Sequence, residues 1–192
     1  MANEFYALLG RMRYITRWGL MRNTLSENIQ EHSHQVAVLS HALALIRREI
    51  LGLEGPDPYR CAVAALYHDA SEILTGDLPT PIKYNNPDIQ AAYKQVEHLY
   101  GEKMLAMLPP QLRDHYAPFV LEDDEEVKPI VKAADRLSAY IKCIEEQKTG
   151  NTEFDSAAKM TMDSMHDMNL PELEWFIREA LPAYSLNLDE LE

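Results

Sequence analysis

The chain has 192 residues, 46% of them hydrophobic and 26% charged, which fits a globular protein large enough to bury its own core and argues against wholesale disorder. Lys and Arg number 18 against 31 Asp and Glu, a formal charge of −13 that repels a phosphate backbone. A nucleic-acid polymer is therefore not an expected partner, whereas a small phosphate ester is acceptable where a metal or a local Arg meets it.

The N-terminal stretch MANEFYALLGRMRYITRWGLMRN carries an early acid and too many charges for a signal peptide, and no window reads as a membrane span. A cytoplasmic protein is expected. Cys61 and Cys143 then read as reduced, buried thiols. Strand signals are almost absent. A first helix is predicted over 3–14, from Phe5, Leu8, Leu9 and Met12. Residues 16–22 look irregular. Asn28 and Glu31 form a capping box that opens the clearest helix, closed by Gly52. His32, Val36, Leu39, Leu43, Ile46 and Ile50 make its apolar stripe; Val38 and Leu45 on the other side suggest a central helix covered on most sides.

A third helix starts at Asp57-Pro58, runs through CAVAALYHDASEIL and stops at Gly76. The prolines at 79 and 81 then stiffen a loop. Further helices are predicted over 88–108, ended by Pro109-Pro110, and over about 111–119. The acidic run 122–126 reads as a solvated helix start. The helix after it places Ile130, Ala134, Leu137, Ile141 and Ile144 on one face and ends near 149–151. Two more follow, over 153–168 and 171–181, and the methionines 160, 162, 165 and 168 read as adaptable core or interface filler. The sum is an all-α single domain, 1–192, of about seven or eight helices.

His68-Asp69 alone says little, since such a dipeptide arises readily by chance. Its setting says more. In an apolar helix Asp69 needs a partner, because burying a bare carboxylate costs on the order of several kcal/mol. His32, on the apolar stripe, and Asp135, in the run IVKAADRLSAYI, are the candidates. His32, His68, Asp69 and Asp135 together offer two nitrogen and two oxygen donors, a mixed set suited to one divalent transition metal. A buried ion-pair network is the alternative for the same residues. Glu72 lies one helical turn beyond His68 and Asp69, where a carboxylate outside the ligand set serves as general acid or base. Asp77, just past Gly76, is placed to orient water or a leaving group. His41, His98, His115 and His166 read as ordinary surface or core histidines.

The order H…HD…D on an all-α chain resembles the HD-domain superfamily of metal-dependent phosphohydrolases. The segments RYITRWGLMRN (13–23), SENIQEHSHQVAVLSHAL (26–43), ALYHDASEILTGDLPTPIKY (65–84) and VKAADRLSAYIKCIEE (131–146) resemble, more closely, the bacterial 5′-deoxynucleotidase family of the YfbR type, over nearly the whole chain. The resemblance implies hydrolysis of deoxyribonucleoside 5′-monophosphates and one divalent ion per subunit, cobalt or manganese by expectation, held by His32, His68, Asp69 and Asp135. It implies Glu72 as the acid/base group, with Arg17 orienting the phosphate. Trp18 belongs to the substrate pocket, and Asp77, Leu78, Pro79 and Thr80 line the sugar and base side, leaving no room for a 2′-hydroxyl. His32, Asp69 and Asp135 touch substrate as well as metal, and Asp77 assists Glu72. The family works as homodimers. His34, Gly19 and Arg136 depart from its pattern at positions without chemistry. Rival readings are an HD phosphohydrolase for another nucleotide and a metal-dependent nucleotide sensor that does not turn its ligand over.

Overall fold

The computed structural model describes residues 4–79 and 86–191, and helix is the dominant element throughout. Helix α1 (Phe5–Leu9) tightens into a 3-10 turn over Gly10–Tyr14. Residues 15–28 are irregular, with a single antiparallel bridge between Thr16 and Asn28. The capping box forms as the sequence suggests: Asn28 Oδ1 accepts the N–H groups of Gln30 and Glu31, and Glu31 reaches back to the Asn28 N–H. Helix α2 (Ile29–Leu45) follows, and its last turn, Ile46–Ile50, widens to π-helix before Gly52, which takes φ +64° where an L side chain is disfavoured.

Helix α3 (Pro58–Tyr67) starts with the Asp57 cap and Pro58 in its first turn. The predicted continuous helix to Gly76 does not form. It breaks over 68–71 and resumes as the single turn α4 (Glu72–Thr75). The reason is local. His68 Nδ1 donates to the Ala65 carbonyl at 2.7 Å, the acceptor that the Asp69 N–H would use in a continuing helix. The chain then closes tight turns, with Ala70 N–H on Tyr67 O and Glu72 N–H on Asp69 O.

The remaining elements are α5 (Pro87–Ala106), α6 (Pro110–Val120), α7 (Lys128–Lys148), α8 (Asp155–His166) and α9 (Pro171–Glu179). The main core joins α2, α3, α7 and α9. Val36, Leu39, Leu43, Leu137, Ile141 and Leu173 fill it, each contributing about 1.5–3 kcal/mol on burial. Ala44, Ala64, Ala65, Ala133 and Ala134, all buried, let the three central helices approach closely. Two smaller clusters surround Phe5, Met104 and Leu108, and Phe154 with Cys143.

Three expectations need correction. The outer side of α2 is not covered within the chain: Val38 is 57% exposed and Leu45 is also exposed, as is Ile50 at the stripe's end. The acidic run is not wholly solvated, because Asp124 is buried with its Oδ2 2.6 Å from Arg60 Nε. The methionines divide: Met165 is fully buried, Met162 and Met168 pack at the core's edge, and Met160 faces solvent. Both cysteines are free and buried, and burial pushes their thiols up to about 12.

A polar hub ties the irregular segment to α7. Glu146 is fully buried and accepts from Lys142 Nζ, Asn151 Nδ2, the Thr24 hydroxyl and the Thr24 and Leu25 N–H groups, while Lys142 also donates to Leu25 O. Burial opposes its charge, but Lys142, Asn151 and Thr24 outweigh that and hold the carboxyl well below the usual range. Glu146→Ala leaves Lys142 buried without a counter-charge and is expected to cost about 3–5 kcal/mol. A depressed carboxyl stabilises the fold fully above its unfolded value, about 4.3, and loses that contribution as pH falls through the folded value. The gap in urea midpoint between wild type and variant is therefore expected to be widest near neutrality and to shrink in acid. A gap that stays constant from about pH 7 to pH 3 contradicts the assignment.

Candidate active site

Four stretches of chain converge. His32 lies in the first turn of α2, His68 and Asp69 in the break after α3, Asp135 on α7, and Arg17 in the irregular segment. The last is brought in by main-chain bonds between 15–17 and 27–29: Arg17 N–H to Glu27 O at 2.9 Å and Ile29 N–H to Ile15 O at 3.0 Å.

One ligand atom each from His32, His68 and Asp135 falls within a mutual 4.8 Å. His32 Nε2 is 3.0 Å from Asp135 Oδ1 and 3.5 Å from Asp69 Oδ2, and His68 Nε2 is 3.2 Å from Asp69 Oδ2. The predicted quartet is thus brought together, with Asp69 reaching both histidines yet outside the tightest set. The outer nitrogens fix the tautomers. A carbonyl only accepts, so His68 Nδ1 carries the proton toward Ala65 O and Nε2 keeps its lone pair. Ser138 Oγ donates to Gln35 Oε1 at 2.6 Å and so accepts from His32 Nδ1–H at 3.0 Å, which frees His32 Nε2 in the same way.

His32 Nε2, His68 Nε2 and Asp69 Oδ2 are buried and make no hydrogen bond, despite their short separations. Orphaned buried polar atoms are costly. Three of them aimed at one place, two with lone pairs presented, are what a divalent ion requires, so these residues fit a metal. Burial opposes charge on Asp135, but His32, His68 and Arg17 outweigh it and hold the carboxyl well below its ordinary value. Without an ion, Asp69 and Asp135 outweigh burial and favour the His68 cation, so a proton takes the place on Nε2 that a metal would claim.

Arg17 stands beside the quartet, with Nη1 3.6 Å from Asp69 Oδ2. Trp18 donates its indole N–H to Glu27 and leans on the Phe154 ring, 5.3 Å between centroids. Burial raises the Asp77 carboxyl, and Arg17 partly offsets that. Glu72 is 5% exposed at the head of α4. Leu78 and Pro79 are half-buried, and Thr80 lies outside the described residues. A cleft of about 220 Å³ opens from His68, Asp69 and Asp135 between α5, α6 and α7, with Phe119, Val131, Gln90 and Lys94 among its walls. Trp18 and Leu78 are not among its described walls.

Sequence reasoning missed Glu27, Ser138 and Gln35. Ser138 is three residues past Asp135 on the same helix, and a polar residue there on the buried face was a readable signal. Glu27, just ahead of the Asn28 cap, gave none. The departures prove peripheral: His34 is exposed, Gly19 has open space around it, and Arg136 donates to Ser164 O. His41 sits tilted against the Tyr59 ring, and His98 and His166 face exposed acids.

This helical frame and its His–HisAsp–Asp centre define an HD-domain protein. An HD-domain phosphohydrolase from Listeria innocua superposes with a TM-score of 0.81 at 20% identity, covering 94% of this chain and 88% of its own. The cyanophage S-2L HD phosphohydrolase DatZ, solved with dA and one catalytic Zn²⁺, gives 0.66 at 23%, covering 92% and 95%. The model of the family described as 5′-deoxynucleotidase YfbR-like matches residues 4–184, and the chain belongs to that family. It is 46% identical over 191 residues to the 5′-deoxynucleotidase VP0926 of Vibrio parahaemolyticus, with 98% of each chain covered. A 5′-deoxynucleotidase of Shewanella oneidensis is 44% identical, covering 98% of this chain and 97% of its own.

Proposed function

We propose that this chain is a metal-dependent 5′-deoxynucleotidase, hydrolysing deoxyribonucleoside 5′-monophosphates to the deoxyribonucleoside and phosphate. The observation that carries it is the set of three orphaned buried atoms, with Arg17 beside them. His32, His68, Asp69 and Asp135 hold the ion, with cobalt or manganese the expected identities. When bound, the ion supplies an acidified water and charge neutralisation at the phosphoryl oxygen.

The residues do the rest. Arg17 presents a planar fork of donors to the phosphate oxygens, which a Lys cannot match. Glu72 gives a proton to the departing 5′-oxygen, with Asp77 holding the leaving group's orientation. Trp18, Asp77, Leu78 and Pro79 close the site against a 2′-hydroxyl, which is then sterically blocked or left without a partner. His32, Asp69 and Asp135 would meet the phosphate as well as hold the ion.

Among the described residues no helix is long and apolar enough to cross a membrane. We take residues 1–192 as one domain that works in the cytoplasm as a homodimer. Val38 and Leu45 on α2, with Tyr59, Val63 and Leu66 on α3, are exposed apolar residues that a second copy would cover.

The deciding assay measures phosphate release from dAMP, AMP and 3′-AMP by the chelated protein before and after Mn²⁺ or Co²⁺ is returned, with sedimentation of the same sample. Metal-dependent release from dAMP, at least about tenfold faster than from AMP, is expected, on a species of twice the chain mass. Equal rates on dAMP and AMP contradict the 2′ exclusion. Tight nucleotide binding without release sinks the hydrolase reading in favour of a sensor.

A further inference from the structure

We propose that Glu27 is a positioning residue: one carboxylate oxygen holds both Arg17 and Trp18 and thereby sets the plane in which the guanidinium meets the substrate phosphate. The inference rests on the hydrolase reading above.

Glu27 Oε2 accepts Arg17 Nε–H at 3.2 Å and Trp18 Nε1–H at 2.8 Å. The Arg17 and Glu27 side chains are only 13% and 15% exposed, so water competes weakly for these bonds. A guanidinium is planar and carries five N–H donors. Pinning Nε fixes that plane and turns the outer edge of the fork, where Nη1 also lies 3.6 Å from Asp69 Oδ2, toward an incoming oxyanion. Without Glu27, the nearest remaining anion is Asp69, already 3.6 Å from Nη1. Arg17 would then turn further onto Asp69, and its guanidinium would be drawn away from the phosphate while Asp69 stays in place.

Trp18 gives a second reason. It sits at φ +60°, a rare conformation for a bulky residue that costs about 1–3 kcal/mol and persists only where its surroundings over-determine it. Its contacts do so: Glu27 on the indole nitrogen, Phe154 on the ring, and Asn23 Nδ2 and the Met21 N–H on its backbone carbonyl. The strained residue directly follows Arg17, so releasing the indole loosens the segment that aims the guanidinium. The main-chain bonds of Arg17 to Glu27 O and of Ile29 to Ile15 O do not depend on the Glu27 side chain. Glu27→Ala is therefore expected to fold.

The test compares wild type, Glu27→Ala, Glu27→Gln, Arg17→Ala and the Glu27→Ala/Arg17→Ala double variant as full-length chains with Mn²⁺. Turnover of dAMP, calorimetric binding of inorganic phosphate and Mn²⁺ affinity are all measured. Glu27→Ala is expected to lower kcat/KM by about 10–100-fold, more in kcat than in KM, and to weaken phosphate binding about tenfold with Mn²⁺ affinity unchanged. Gln keeps an oxygen for both bonds, so Glu27→Gln recovers at least about half of the logarithmic loss. In the Arg17→Ala background the Glu27 change is expected to alter phosphate binding by less than about twofold. Equal losses with and without Arg17, a matching loss of Mn²⁺ affinity, or unaltered phosphate binding in Glu27→Ala each overturn the proposal. Wild type inactive on dAMP contradicts the hydrolase reading instead, and the phosphate titration still decides the role of Glu27.

Discussion

Asp135→Ala is expected to lose at least about 10³-fold in phosphate release from dAMP together with most of its affinity for a divalent ion. Changes in groups that merely orient a ligand already cost about 10–100-fold, and the proposed function makes Asp135 a ligand itself. Its Oδ1 is 3.0 Å from His32 Nε2, and it belongs to the trio gathered within 4.8 Å. Without an ion, His32, His68 and Arg17 outweigh the cost of burial and hold its carboxyl below the ordinary range. The neighbouring core positions Ala134 and Leu137 are untouched, so α7 is expected to remain folded. Ser138→Ala supplies the graded comparison. It keeps every ligand but removes the acceptor of His32 Nδ1–H, and is expected to cost only about 10–100-fold in metal affinity. Titration of Mn²⁺ into the metal-free variants, alongside phosphate release, separates the two. An Asp135→Ala protein that binds Mn²⁺ as tightly as wild type reduces the quartet to a buried ion-pair network.

Much of this centre was legible because burial makes charge conspicuous. Asp69 and Asp135 stand out in apolar runs, and a carboxylate there needs a partner whatever the fold. The helices that carry them were legible for similar reasons: the Asn28–Glu31 box, the Asp57-Pro58 start and Gly150, at φ +82°, are local devices whose physics acts within a few residues. The break at 68–71 was hidden, because ALYHDAS contains no breaker and a side-chain bond from His68 to Ala65 O decides it. Exposure of Val38 and Leu45 was hidden for the opposite reason. Periodicity shows which residues are apolar but not whether the covering surface belongs to the same chain. Glu27 was invisible because its partners, Arg17 and Trp18, are joined to it by a loop closure that no spacing rule encodes.

The break has a consequence for Glu72, and its replacement is the second large effect expected. A continuous helix would have set Glu72 by helical geometry. Instead it is tethered to the ligand segment by one tight turn, its N–H on Asp69 O at 3.1 Å, and its side chain is 5% exposed. Glu72→Gln preserves size and the oxygen acceptor but has no proton to give a departing 5′-oxygen. The kcat for dAMP is expected to fall by about 10²–10⁴, the usual worth of a positioned acid/base group. Metal affinity and KM are expected to hold within a few-fold, because the proposed function keeps Glu72 outside the ligand set and has it act only as the bond to the leaving oxygen breaks. Retained dAMP binding with lost turnover separates a chemical role from a structural one. A Glu72→Gln protein that keeps more than about a tenth of wild-type kcat moves the proton elsewhere. Asp77 is then the next donor to remove, since burial raises its carboxyl and favours the protonated form.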